Sequence, residues 1–181
     1  ARVRAAQRNY EEAISLYSRA VAAMPLPEYV IALGDVYQFI GCGEEAARQY
    51  ELVRAMERLY RANGVDTDLE TALFDADHDQ NVSDALERAR REMKRRPSVH
   101  ASDVLAWTLY RAGQYREALS SAQQALRLGT KDALMFFHAG MISYRLGERK
   151  QARDYLERAL SLNPNFSVRH VPEAERVLKE L

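Results

Sequence analysis

The chain has 181 residues, with 26 Lys+Arg balanced by 26 Asp+Glu, 47% hydrophobic and 29% charged residues. Zero net charge argues against a dedicated nucleic-acid binder, which needs surplus positive charge to displace counterions, and no apolar run approaches the ~18–20 residues of a membrane helix. The single cysteine, Cys42, excludes an internal disulfide framework and a multi-cysteine zinc site.

A spacing near 34 residues organises what remains. Residues 1–26 read as a partial unit, mostly one helix, because Ala13 and Tyr17 recur at Ala46 and Tyr50, 33 residues on. The next unit covers 27–65, and its second helix runs from Glu44 to Asn63-Gly64, longer than its counterparts. The unit at 66–98 is degenerate. It keeps Ala85, Ala89 and Pro97, but its turn, His78-Asp79-Gln80-Asn81, has no glycine. In 99–132, Leu105 and Leu109 supply a helical apolar face, Gly113 breaks the helix, and Ala118, Ala122 and Ala125 form a small-residue stripe. The unit at 133–166 repeats this pattern at an offset of 34: Tyr110 falls on Tyr144, Arg111 on Arg145, Gly113 on Gly147, Ala118 on Ala152 and Ala125 on Ala159. Asn163-Pro164 is its stop signal, and residues 171–181 make a last amphipathic helix with Ala174, Val177, Leu178 and Leu181 on one side.

Such a period is the mark of stacked helical hairpins. Leu33-Gly34-x2-Tyr37 followed by Ala46 and Tyr50, and Gly140, Ala152, Ala159 and Pro164, resemble the tetratricopeptide repeat family over nearly the whole chain. The resemblance implies an all-α fold, an α-α superhelix of helical hairpins with a C-terminal capping helix, as one array over residues 1–181. It implies a non-catalytic interaction scaffold that binds a peptide or partner domain along the concave wall of its first helices. Equivalent faces of those helices place on the wall Asp35, Gln38 and Phe39; Glu70, Phe74 and Asp77; His100, Asp103, Trp107, Tyr110 and Arg111; and Phe137, His138, Met141, Tyr144 and Arg145. The competing reading makes several of these aromatics core between repeats. If the wall is open, its acidic early part and aromatic later part suit a ligand with apolar anchors and a basic residue. Some family members grip a partner's C-terminal carboxylate with Lys, Asn and Arg, but the matching positions here hold Ile31, Asp35, Thr71, His100 and Val104. That clamp is therefore not expected. The alternative role is an accessory or regulatory part of a larger enzyme or assembly.

Three smaller patterns carry chemistry. Eight acidic residues between Gly64 and Glu87 are followed by Arg88, Arg90, Arg91, Lys94, Arg95 and Arg96, which fits ion pairing across one antiparallel hairpin. Asp75-x-Asp77-x-Asp79 has the start of a calcium loop, but Gln80 replaces the turn glycine and Leu86 the bidentate Glu. His100, Asp103 and His138 are metal-ligand candidates, two nitrogens and one oxygen, against the plainer reading of ordinary hydrogen-bonded histidines. No nucleophile motif or phosphate loop occurs, so neither enzyme activity nor a cofactor is expected. The 22 arginines against 4 lysines suggest a GC-rich bacterial genome, and the start at Ala1 suggests a fragment whose compartment and oligomeric state stay open.

Overall fold

The computed structural model describes all 181 residues as eleven helices and no strand. The chain divides into two compact units, Ala1–Thr67 and Asp68–Leu181, at the junction between two repeats.

The first unit contains α1 (Arg2–Ala6), α2 (Tyr10–Ala23), α3 (Pro27–Phe39) and α4 (Gly43–Ala62). Asn9 caps α2, its side chain accepting from Glu12 N–H and donating to the Glu12 carboxylate, the two-way arrangement that satisfies a helix start. Pro27 opens α3, where a missing N–H costs nothing. α3 and α4 form a hairpin around Val30, Leu33, Val36, Ala46, Val53 and Met56. α4 has 20 residues, against 12 to 14 for the other second helices. Its last three turns carry an outward stripe of Leu52, Ala55, Leu59 and Ala62, all exposed, with Leu59 at 62%.

The second unit stacks three hairpins and a closing helix. They are α5 (Asp68–Asp77) with α6 (Val82–Arg95), α7 (Val99–Arg111) with α8 (Tyr115–Leu126), α9 (Ala133–Arg145) with α10 (Arg149–Leu162), and α11 (His170–Glu180). Ser98 and Asp132 cap α7 and α9 through their side-chain oxygens. The turns after α7 and α9 use Gly113 and Gly147 at φ 77° and 78°, the left-handed region that a side chain disfavours. The degenerate turn solves the same problem differently: Asp79 and Asn81 adopt φ 54° and 46°, and these are residues that tolerate the left-handed region.

Close approach of paired helices is set by complementary volumes. A Cβ on Gly140 of α9 would lie 2.7 Å from Leu156 of α10, so glycine is what lets a leucine fit there. One repeat earlier the same positions hold Ala106 and Ala122, which share one core cluster. In the first unit Gly34 faces Tyr50 in the same way, with 2.5 Å to the ring.

The charge segregation resolves into pairs across α5 and α6. Arg91 bonds Asp68 at 2.8 Å, and Arg88 faces buried Asp75 at 3.6 Å. The three alternating aspartates each serve different partners: Asp75 pairs with Arg88, Asp77 with Trp107 and His170, and Asp79 with Arg111. They do not converge as a calcium loop would require.

Candidate functional site

The wall residues separate by burial. In the first unit Asp35 is half-buried and accepts from Tyr50 Oη at 2.9 Å, while Phe39 is exposed and lies against the ring of Tyr10. In the second unit Phe74, Asp103, Trp107, Phe137, His138 and Met141 are interior, and Trp107 is only 1% exposed. These six form core between repeats and do not line an open wall. The cause is packing from a third direction. α11 and the Phe166–His170 segment lie over α7 and α9, so Ala174 and Val177 share a cluster with Trp107, Phe137 and Met141. The surface left on the first helices is Glu70 and His100, which are exposed, and the helix-end residues Tyr110, Arg111, Tyr144 and Arg145.

Those helix ends repeat a motif. Tyr110-Arg111 closes α7 and Tyr144-Arg145 closes α9, at the same place in successive repeats. The Tyr110 ring stacks on Trp107 at 4.6 Å, and Arg111 sits over the Trp107 ring while pairing with Asp79. Arg145 lies over the ring of Tyr115 at 5.0 Å and donates to its hydroxyl. Tyr144 donates to Glu180, and Arg149 donates to the carbonyls of Glu180 and Leu181, fastening the end of α11. Burial pushes the Tyr110 hydroxyl up to about 12; the charge of Glu173 adds to this, and Arg145 and Arg111 oppose it. The acidity expected along the wall is mostly absorbed inside the unit, since Asp77 and Asp103 both have internal partners.

Behind the helix ends lies a polar cluster in the core. His138 Nδ1 is 3.0 Å from Asp103 Oδ1, joining α9 to α7. His170 Nε2 is 3.1 Å from Asp77 Oδ1, joining α11 to α5, and Trp107 Nε1 donates to that same oxygen at 2.8 Å. Arg169 Nη1 donates to the Asp77 carbonyl. The imidazoles are held by rings: His138 stacks on Trp107 at 4.3 Å, and His170 on Phe137 at 4.7 Å. Burial alone would raise the Asp77 carboxyl, but the hydrogen bond to His170, the electrostatic influence of the His170 and His138 rings, and the Trp107 N–H outweigh it and hold the group below its usual range. Donor atoms of Asp77, His138 and His170 all lie within 4.8 Å of one another.

The three metal-ligand candidates named from sequence, His100, Asp103 and His138, do not come together as one set. His100 is exposed in the first turn of α7 and stands outside the cluster. Asp103 reaches His138 but backs it from behind, and the third member is His170, which sequence reasoning did not select. No signal marked it, because it follows the Asn163-Pro164 stop and has no counterpart in the repeats.

Residues 104–165 match the family model described as tetratricopeptide repeat. No curated protein matches the chain. Among solved structures, TTC0263, a thermophilic TPR protein in Thermus thermophilus, is similar at 21% identity and a TM-score of 0.46, covering 97% of this chain and 74% of its own. MamA is similar at 17% identity and a TM-score of 0.42, covering 98% of this chain and 89% of its own.

Proposed function

Starting from a chain that carries tetratricopeptide repeats, which are in general protein–protein interaction scaffolds without catalysis of their own, we propose that it binds a protein or peptide segment across the ends of α7 and α9. The observation that carries this is the repeated Tyr-Arg pair, Tyr110-Arg111 and Tyr144-Arg145, half-buried to exposed at equivalent positions. Tyrosine and arginine are the residue types that concentrate binding energy in interfaces. A tyrosine face takes an apolar or aromatic side chain, and since Arg111 is already paired with Asp79, the exposed Arg145 is the guanidinium whose planar fork fits a ligand carboxylate. The ligand is therefore a segment with an apolar anchor next to an acidic group. This replaces the basic ligand expected from sequence, because two of the carboxylates invoked for it, Asp77 and Asp103, have partners inside the unit.

The test is affinity capture on the purified chain, followed by identification of the retained proteins and measurement of each affinity. A double Tyr144→Ala, Arg145→Ala variant, helical by circular dichroism, is expected to lose about tenfold or more in affinity. A partner that binds wild type and the double variant equally would remove the helix ends as the working surface.

A second reading has an observation of its own. The exposed stripe Leu52-Ala55-Leu59-Ala62 on α4 is suited to holding this chain against a larger assembly. Leu52→Glu with Leu59→Glu would release a partner held there while leaving the Tyr-Arg surface competent.

A further inference from the structure

We propose that Asp77, His138 and His170 form a binding site for one first-row divalent cation, with zinc the best match, and that Asp103 is the outer carboxylate of that site. The inference is independent of which protein partner the chain binds.

Three observations converge. The donor set is two imidazoles and one carboxylate from three separate elements, α5, α9 and α11, with donor atoms within 4.8 Å of one another. This is the three-ligand set that holds zinc with a fourth position left open. Donors around such an ion at ~2.0–2.1 Å stand roughly 3.4 Å apart. Asp77 and His170 are already at 3.1 Å, so the set closes by small movements of side chains. Asp77, 19% exposed at the end of α5, is the rim member and gives an ion a way in.

The second observation is an unsatisfied nitrogen. His138 is wholly buried, and its Nε2 has no hydrogen-bond partner. In the tautomer that donates Nδ1–H to Asp103, Nε2 carries the lone pair that a metal requires. The third is the outer contact itself. Metal-bound histidines almost always donate their second N–H to a carboxylate or carbonyl, which fixes ring orientation and raises basicity. Asp103 to His138 at 3.0 Å is that contact, and stacking on Trp107 locks the same ring from its face.

The experiment uses the full chain, stripped with a chelator and titrated with Co2+ and then Zn2+ near neutral pH. Co2+ is expected to give an intense visible ligand-field spectrum at one ion per chain, without a thiolate charge-transfer band, and Zn2+ should displace it. Trp107 is the only tryptophan and bonds Asp77 while stacking on His138, so its fluorescence should change over the same titration. Asp77→Asn and His170→Gln should each abolish the spectrum. Asp103→Asn should weaken the affinity by about 10–100-fold, as loss of an outer partner does. Helical circular dichroism accompanies each variant, and the wild-type cobalt spectrum decides the matter if variants unfold. The proposal is overturned if wild type gives no such spectrum or if a thiolate band assigns the ion to Cys42. Full binding in folded Asp77→Asn and His170→Gln chains would also overturn it.

Discussion

The volume exchange between α9 and α10 can be tested by rebuilding it as its neighbour. A Cβ at Gly140 would meet Leu156 Cγ and Cδ2 at 2.7 Å and the Leu156 backbone nitrogen at 3.3 Å. Leu156 is fully buried, so its side chain has little room to withdraw. Overpacking of this kind costs about 1–3 kcal/mol, and alanine in place of a helical glycine returns about 1 kcal/mol. Gly140→Ala is therefore expected to destabilise by roughly 0–2 kcal/mol, and Gly140→Leu by more. Leu156→Ala alone opens a cavity worth about 2–5 kcal/mol. The double variant recreates the Ala106 and Ala122 pair that the preceding hairpin uses, because the new methyl group enters space vacated by the leucine. Its loss should fall below the sum of the single losses by about 1–2 kcal/mol, a coupling typical of residues in direct contact. Urea and thermal unfolding of the four proteins, followed by circular dichroism, measure this cycle. Additivity within about 0.5 kcal/mol would show that the two positions do not meet. An unchanged Tm for Gly140→Leu would show that the repeat phase itself is wrong.

Three further outcomes follow from named contacts. Trp107→Ala removes a buried ring and takes a donor from the Asp77 carboxylate, so it should lower stability by about 3–5 kcal/mol in chemical denaturation; a variant as stable as wild type would place Trp107 back on an open wall. Arg88→Met takes the guanidinium away from buried Asp75 and should cost about 3 kcal/mol, most of which Asp75→Leu in the same chain should restore. Tyr110 has a folded pKa raised to about 12 against an unfolded value near 10, so its share of stability is complete below pH 10 and is lost as pH climbs from there through 12. Tyr110→Phe should flatten the fall in Tm over that interval, and an unaltered slope would contradict the burial assigned to this hydroxyl.

The helical hairpins were legible because repetition amplifies weak signals. Gly113 and Gly147, or Ala118 and Ala152, say little alone, but their common offset of 34 fixes both the period and the turn positions. The length of α4 was legible for a related reason: no turn residue intervenes before Asn63-Gly64. The glycine-free turn at 78–81 weakened the pattern without changing the structure, since Asp79 and Asn81 adopt the backbone that glycine would.

Exposure was harder to read, and the reason is geometric. A first helix inside a stack touches its hairpin partner and the flanking first helices, so large apolar residues occur on most of its circumference. Periodicity shows that Trp107, Phe137 and Met141 face something, but not whether that is solvent in a groove or another segment of the same chain. What decides it here is α11, whose Ala174 and Val177 cover them. The same helix explains why only half of the polar cluster could be anticipated. Asp103 and His138 stand 35 residues apart, one repeat plus one position, so their pairing across adjacent first helices follows from the period. Asp77 and His170 stand 93 apart, and their meeting depends on where the chain returns after its last repeat. No periodic argument contains that return path. Because it brings His170 across the wall, the aromatic residues in the middle of α7 and α9 are consumed by the fold. On α7 and α9 the exposed residues that remain lie mainly at the helix ends, where tyrosine and arginine recur.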